Sequence, residues 1–275
     1  MECPERCFME KFFCISNFEL FPLNLTDYCA NYVIYDNSET IDIKNKISSN
    51  YNNVKEKVNF GHSLSNFFEY MYDEYHNLPE IIFFLKSNII GRHVTKDFFE
   101  RTLDNKHFTF LYNDESYFDD VLISSRLHDS SFIERNNNWF VNTHKAKYFI
   151  TVNELLNFIF VNPVLPEFLN FAPGGCYIIP NHQIKRLPRD LFSFLKIIVS
   201  HQFLPNEAYL VERIMNIIFN ANYQIQPYFY DVKNLHLEMK KYELSSDPNI
   251  ESRLDFAKKH DFERIIRILK NFRKI

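Results

Sequence analysis

The chain alternates short apolar runs with stretches of helical periodicity. Lys11–Ser16 (KFFCIS) is apolar and short enough to predict a buried first strand. Asn17, Phe18 and Glu19 follow it, and Pro22 marks a turn before a helix-like segment over Leu23–Ala30. Asn31–Tyr35 (NYVIY) predicts a second strand ending on Asp36, Asn37 and Ser38. The polar stretch Ser48–Lys57 predicts a loop. From His62 to Tyr75, the residues Leu64, Phe67, Phe68, Met71 and Tyr75 recur at helical spacing. Ser63 or Ser65 is the expected cap of that helix. Glu80–Leu85 (EIIFFL) is continuously apolar, as a central parallel strand should be. Thr95–Leu103 then reads as a helix and Phe108–Tyr112 as a strand. This alternation predicts an α/β fold: a doubly wound sheet with helices on both faces.

The second half is less regular. Asn113–Asn142 is polar and unpatterned, and holds Asp114, Glu115, Asp119, Asp120 and the only tryptophan, Trp139. A loop that long inside a compact domain is more often functional than structural. Asn153–Phe160 predicts a helix, Pro163 and Pro166 break the chain, and Cys176–Ile179 predicts a strand. Apolar helices follow at Arg189–Val199 and Asn206–Phe219. Asp247-Pro248-Asn249 reads as a linker to Glu251–Ile275, which carries eight Lys/Arg against four Asp/Glu. Residues 1–230 are therefore expected to form the α/β domain and residues 231–275 a helical appendage.

Composition narrows the chemistry. Average usage near ~7% would give a chain of this length roughly 19 glycines; it has 4. Neither a phosphate loop nor a dinucleotide fingerprint is present. Any bound nucleotide must be held without a glycine cradle. A formal net charge of −4 argues against a dedicated nucleic-acid binder. The excess of Phe, Tyr, Ile, Asn and Lys with little Gly or Ala is what an AT-rich genome encodes, so the aromatics are read as core. Five cysteines form no framework. Cys3 and Cys7 lack a second ligand pair, and an odd count fits a reducing compartment. No secretory signal and no spanning apolar stretch is found, so a cytoplasmic protein is expected.

In open α/β sheets, ligands sit at the carboxyl ends of the strands. The candidates there are Asn17 and Glu19, then Asp36, Asn37 and Ser38, then Lys86, Ser87 and Asn88. Asp36 is placed to accept hydrogen bonds from a ribose or base, and Lys86 to neutralise a phosphate. Gly174 and Gly175 stand together before a strand, as a tight turn or a close approach of backbone to a ligand would require. Glu207 lies near a helix start, and Glu212 with Arg213 sits inside an apolar helix. That pair is either a structural ion pair or a carboxylate shielded to serve as general base. Asp114, Glu115, Asp119 and Asp120 are the candidate oxygen ligands for Mg²⁺ or Mn²⁺. The last helix, apolar at Phe262, Ile265, Ile266, Leu269 and Phe272, packs on the domain or touches anionic lipid at the inner face of a membrane.

Three segments in order carry a family likeness. GHSLSNFFEYMYDEYHNLPEIIFFLKS resembles the "helix, then LP-[DE]-x-x-x-F-L" segment of a group of glycosyltransferase-like proteins. That group occurs in bacterial surface-polysaccharide gene clusters and in fungi. FAPGGCYIIPNHQIKRLPRDLFSFL resembles its "G-A-x-F-x-V-x-x-x-x-I-x-x-x-P-R-x-F-Y" segment, and YLVERIMNIIF is similar to its "Y-x-x-E-R-x-W-x-x-I-F". The resemblance covers roughly residues 12–230. It implies a glycosyltransferase type A fold, a nucleotide-sugar donor, and a saccharide or lipid-linked saccharide acceptor in capsule or lipopolysaccharide synthesis. It puts Asn17, Glu19, Asp36 and Lys86 to Asn88 on the donor side. Gly174, Gly175, Glu207, Glu212 and Arg213 fall on the acceptor side. Glu212 is the expected base with Glu207 second, and Arg213 or Lys86 would steady the departing diphosphate. No D-x-D motif stands at a strand end, so the resemblance leaves dependence on a divalent metal open. Two alternatives stay open: a hydrolase or phospho-group transferase acting on the same glycan, and a non-catalytic nucleotide or glycan binder.

Overall fold

The computed structural model describes residues 11–113, 124–126, 130–137, 140–141 and 144–246. Cys3, Cys7, the acidic loop Asp114–Asp120, Trp139, the linker at Asp247 and the helix expected over Glu251–Ile275 lie outside the described residues.

Four strands run parallel: β1 (Lys11–Asn17), β2 (Tyr32–Asp36), β3 (Val54–Glu56) and β4 (Ile81–Lys86). Later in the chain come β5 (Thr109–Phe110) and β9 (Tyr177–Pro180), the latter antiparallel to both β4 and β5. The sheet order is β3-β2-β1-β4-β9-β5. This is a mixed six-stranded sheet, consistent with a Rossmann-like α/β fold. A second sheet of β6 (Ser124–Arg126), β7 (Phe132–Arg135) and β8 (Phe168–Phe171) is antiparallel throughout.

Strand side chains alternate between two cores, as the period of two demands. On β1, Phe13 and Ile15 face one core and Cys14 the other. On β4, Ile81, Phe83 and Leu85 oppose Ile82 and Phe84. The smaller core is closed by α1 (Ile41–Asn50) and α3 (Lys96–Thr102), which contribute Ile47 and Phe99. The larger is closed by α2 (His62–Asp73), α4 (Val152–Ile159), α6 (Arg189–Val199) and α7 (Asn206–Asn220). Sheet and helices thus form the layered α/β arrangement that the sequence predicts.

Several elements differ from the sequence reading. The polar stretch 48–57 holds the end of α1 and the edge strand β3. An edge strand of three half-wet residues has no apolar run to reveal it. α2 is capped by no side chain; its N-cap is Gly61, at φ 72. A Cβ there would run into the Val199 carbonyl, so the glycine lets α2 and α6 approach closely. The antiparallel β9 has a topological cause. The chain returns from β8 at the carboxyl edge and must enter the sheet from that side. The short α5 (Asn181–Lys185) follows it. α8 (Val232–Tyr242) packs on the domain, with Leu235, Met239 and Leu244 in the larger core. Among the described residues, no helix is long and apolar enough to cross a membrane.

Candidate functional site

The order of the parallel strands reverses at β1: β2 and β3 lie to one side and β4 to the other. The crevice above such a reversal is where open α/β sheets hold ligands. Register decides which residues meet there. Asn17 pairs with Asp36, and Ser16 with Lys86. Because β9 runs the other way, its beginning, not its end, joins the same edge. Gly174, Gly175 and Cys176 therefore stand beside the end of β4, where the Lys86 N–H points to the Cys176 sulfur at 3.4 Å.

Asn17 and Asp36 are fully buried. The Asn17 amide donates to Asp36 Oδ1 at 2.9 Å, which fixes the orientation of the amide. The same Oδ1 accepts from the Ser38 hydroxyl at 2.7 Å and the Ser38 N–H at 3.3 Å. Every bond falls on one side of the carboxylate. Asp36 Oδ2 and Asn17 Oδ1 are buried acceptors with no hydrogen-bond partner among the described residues. An unmatched buried acceptor costs about 1–3 kcal/mol. Glu19 ties the neighbouring loops together. Its Oε1 accepts from the N–H groups of Glu39 and Thr40, the latter at 2.8 Å, and these bonds hold its carboxyl below the usual range. Glu19 itself sits at φ 55, and its N–H donates to Ser38 Oγ.

On the opposite face of the same strand ends, the Ser87 N–H donates to the Ser16 carbonyl and Asn66 of α2 donates to Ser16 Oγ at 2.8 Å. This brings the first turns of α2 over the crevice. His62 opens that helix, its Nε2 buried without a protein partner and its ring 4.9 Å from Phe203. Burial, then the charges of Lys86, Arg92 and His144, hold its imidazole below the ordinary value. Ser87 and Asn88 form the turn after β4, and Arg92 and His93 follow in the same loop.

The glycine pair closes the far end. Gly174 has φ 92, and its N–H donates to Glu212 Oε1 at 2.8 Å. A Cβ on Gly174 would stand 2.7 Å from His93 Nε2. The two glycines therefore serve close packing as well as a turn. Glu212 lies beside this turn with its side chain 20% exposed.

The structure separates the remaining acceptor-side residues from the crevice. Glu207 is fully buried. Its Oε1 accepts from the N–H groups of Lys147, Tyr148 and Phe149, and its Oε2 meets His201 at 3.0 Å. It pins a loop to the start of α7 and cannot reach a substrate. Arg213 is 3% exposed, pairs with Glu134 of β7 at 2.7 Å, and lies over the rings of Phe140 and Phe171. It fastens the small sheet to α7 and also donates to Glu212 Oε2 at 3.4 Å. Cys176 is buried, its thiol pushed up to about 11 chiefly by burial, which makes it a poor nucleophile. Among the described residues, no group of three or more His, Cys, Asp or Glu could hold a metal ion.

Sequence reading passes over Ser16, His62, Asn66, Arg92 and His93. His62 had a signal, since it follows Gly61 where strand patterning gives way to helical spacing. Arg92 and His93 had none; only the fold of the loop after β4 brings them in.

Residues 30–232 match the family described as Protein of unknown function (DUF3431), and the chain belongs to that family. No curated protein and no solved structure matches it. The family is not shown to be one of glycosyltransferases, and membership in the glycosyltransferase-like group of surface-polysaccharide clusters is overturned by this match.

Proposed function

We propose that the chain is a glycosyltransferase of the type A kind, moving a sugar from a nucleotide donor to a saccharide acceptor. The observation that carries this reading is the buried acceptor pair, Asn17 Oδ1 and Asp36 Oδ2, at the paired ends of β1 and β2. Two adjacent acceptors without donors suit the neighbouring hydroxyls of a ribose, or the N–H groups of a base. A carboxylate at the end of the second strand is where nucleotide-binding α/β sheets engage the ribose. The mixed sheet with helices on both faces supports the type A reading without requiring it.

The strand order supports an extended layout for such a donor. Nucleoside chemistry lies over β2 and β1, a cationic stretch over β1 and β4, and Glu212 beside the start of β9. The span from β2 to β9 is three strand spacings, about 14 Å. In a direct displacement, the acceptor hydroxyl oxygen bonds to the anomeric carbon of the donor sugar. The bond from that carbon to the diphosphate oxygen breaks, and the nucleoside diphosphate leaves with its electron pair. Glu212 takes the hydroxyl proton, its carboxylate steadied by the Gly174 N–H.

Calorimetry with a panel of nucleoside diphosphates and nucleotide sugars, with and without Mn²⁺, tests the reading. Asp36→Asn keeps an acceptor at Oδ1 but replaces the bare oxygen with a donor. Binding should fall about tenfold or more while the protein stays folded. Glu212→Gln should keep donor binding and lose transfer. Donor binding that is indifferent to Asp36→Asn, or no donor binding at all, would sink the proposal. Donor binding with no transfer to any saccharide, free or lipid-linked, would make the chain a binder.

A further inference from the structure

We propose that Lys86, Arg92 and His62 form a diphosphate subsite over the crevice between β1 and β4, built from this chain's own cations. The proposal deepens the transferase reading and rests on it only for the source of the diphosphate.

Three links fix the place. The Lys86 N–H meets Cys176 and the Ser87 N–H meets Ser16, so the end of β4 is held between β9 and β1. Asn66 grips Ser16 from the other side, which seats α2 directly above. The loop carrying Arg92 folds back on Ile89, and His93 in that loop abuts Gly174. These links bring the end of β4, the loop of Arg92 and the start of α2 to one crevice.

The rim gathers positive charge, with Glu212 the described carboxylate at its far end. Lys86 and Arg92 form no ion pair with any described carboxylate. The other basic groups nearby are committed: Lys57 and Lys196 to Glu69, and Arg213 to Glu134. His62 presents a buried Nε2 with no partner among the described residues, and after burial the charges of Lys86 and Arg92 bear on its imidazole. α2 adds backbone donors, since no side chain caps its first turn. Gathering like charges raises their energy, and a bound dianion relieves it. The subsite lies between the nucleoside acceptors and Glu212, where a donor's diphosphate must pass.

The probe is inorganic pyrophosphate, titrated by calorimetry in the presence of EDTA. Lys86→Met, Arg92→Met and His62→Gln are compared with Lys185→Met, an exposed lysine after β9 on the opposite edge of the sheet. Pyrophosphate should bind the parent and Lys185→Met equally. Lys86→Met and Arg92→Met should each weaken it about tenfold. Both are surface-accessible positions, and circular dichroism checks that the variants fold. Binding only when a divalent cation is added, or equal binding by all variants, overturns the subsite. A parallel titration with phosphate-free nucleosides, on the parent and Asp36→Asn, tests the parent reading separately. Pyrophosphate binding without nucleoside binding leaves the subsite standing and removes the nucleotide; the reverse removes the subsite alone.

Discussion

Gly174→Ala tests whether the turn before β9 is as tightly determined as its geometry indicates. Two costs add. The backbone sits at φ 92, in a region that disfavours any residue with a Cβ by about 1–2 kcal/mol. The added methyl would also stand 2.7 Å from His93 Nε2, and overpacking of this kind costs about 1–3 kcal/mol. The sum is about 2–5 kcal/mol. Urea denaturation followed by circular dichroism should show it as a lower midpoint with an unchanged slope. His93→Ala separates the two costs, because removing the ring relieves the clash but not the backbone strain. The double variant should recover about 1–3 kcal/mol relative to the sum of the singles. Nucleotide binding at Asp36 should be unaffected, while transfer should fall because Glu212 is oriented by the Gly174 N–H. A single variant within about 0.5 kcal/mol of the parent, or singles that simply add, would refute the reasoning.

Two further outcomes follow from the buried charges. Glu207→Ala leaves three backbone N–H groups of the 147–149 loop without their acceptor and should destabilise the protein by about 3 kcal/mol or more in urea; a loss below about 1 kcal/mol would return Glu207 to the list of candidate bases. Glu69 gives a pH dependence. Burial pushes its carboxyl up, but hydrogen bonds and charge from Lys196 and Lys57 outweigh that and leave it below its ordinary value of 4.5. A depressed carboxyl stabilises the fold above that value and loses its contribution as the pH falls through the folded one. Melting curves taken below about pH 4.5 should therefore fall more steeply for the parent than for Glu69→Gln; parallel curves would show that the two lysines do not hold the charge.

The parallel half of the sheet was legible because burial on both faces writes itself as unbroken apolar runs. KFFCIS, NYVIY and EIIFFL locate β1, β2 and β4 to within a residue or two. With three strands and the helices between them fixed, the carboxyl edge was fixed as well, and Asn17, Asp36 and Lys86 with it. The edge strand β3 and the small sheet were hidden for the opposite reason. Short, half-exposed strands carry no such run, and β8 reads as FLNF between breaks. Direction was hidden too, since the apolar pattern of β9 is the same whichever way the strand runs.

Glu212 and Arg213 show where sequence adjacency misleads. Side by side in the sequence, they invite reading as one catalytic pair. On a helix, consecutive residues point about 100° apart, so neighbours in sequence do not share a face. Glu212 Oε1 accepts from the Gly174 N–H at the crevice; Arg213 still reaches its Oε2 at 3.4 Å, but the arginine's shorter bond, at 2.7 Å, goes to Glu134 of β7 among aromatic rings. The long-range pairing with Glu134, 79 positions away, decides the arginine's role, and no local pattern encodes it. Breaking that pair by Arg213→Leu would leave Glu134 buried without its principal cation, and the cost of that is structural. On the proposed reading, the cation for a diphosphate would come from elsewhere on the edge. The loop after β4 carries Arg92 next to His93, which only the folded chain brings against Gly174.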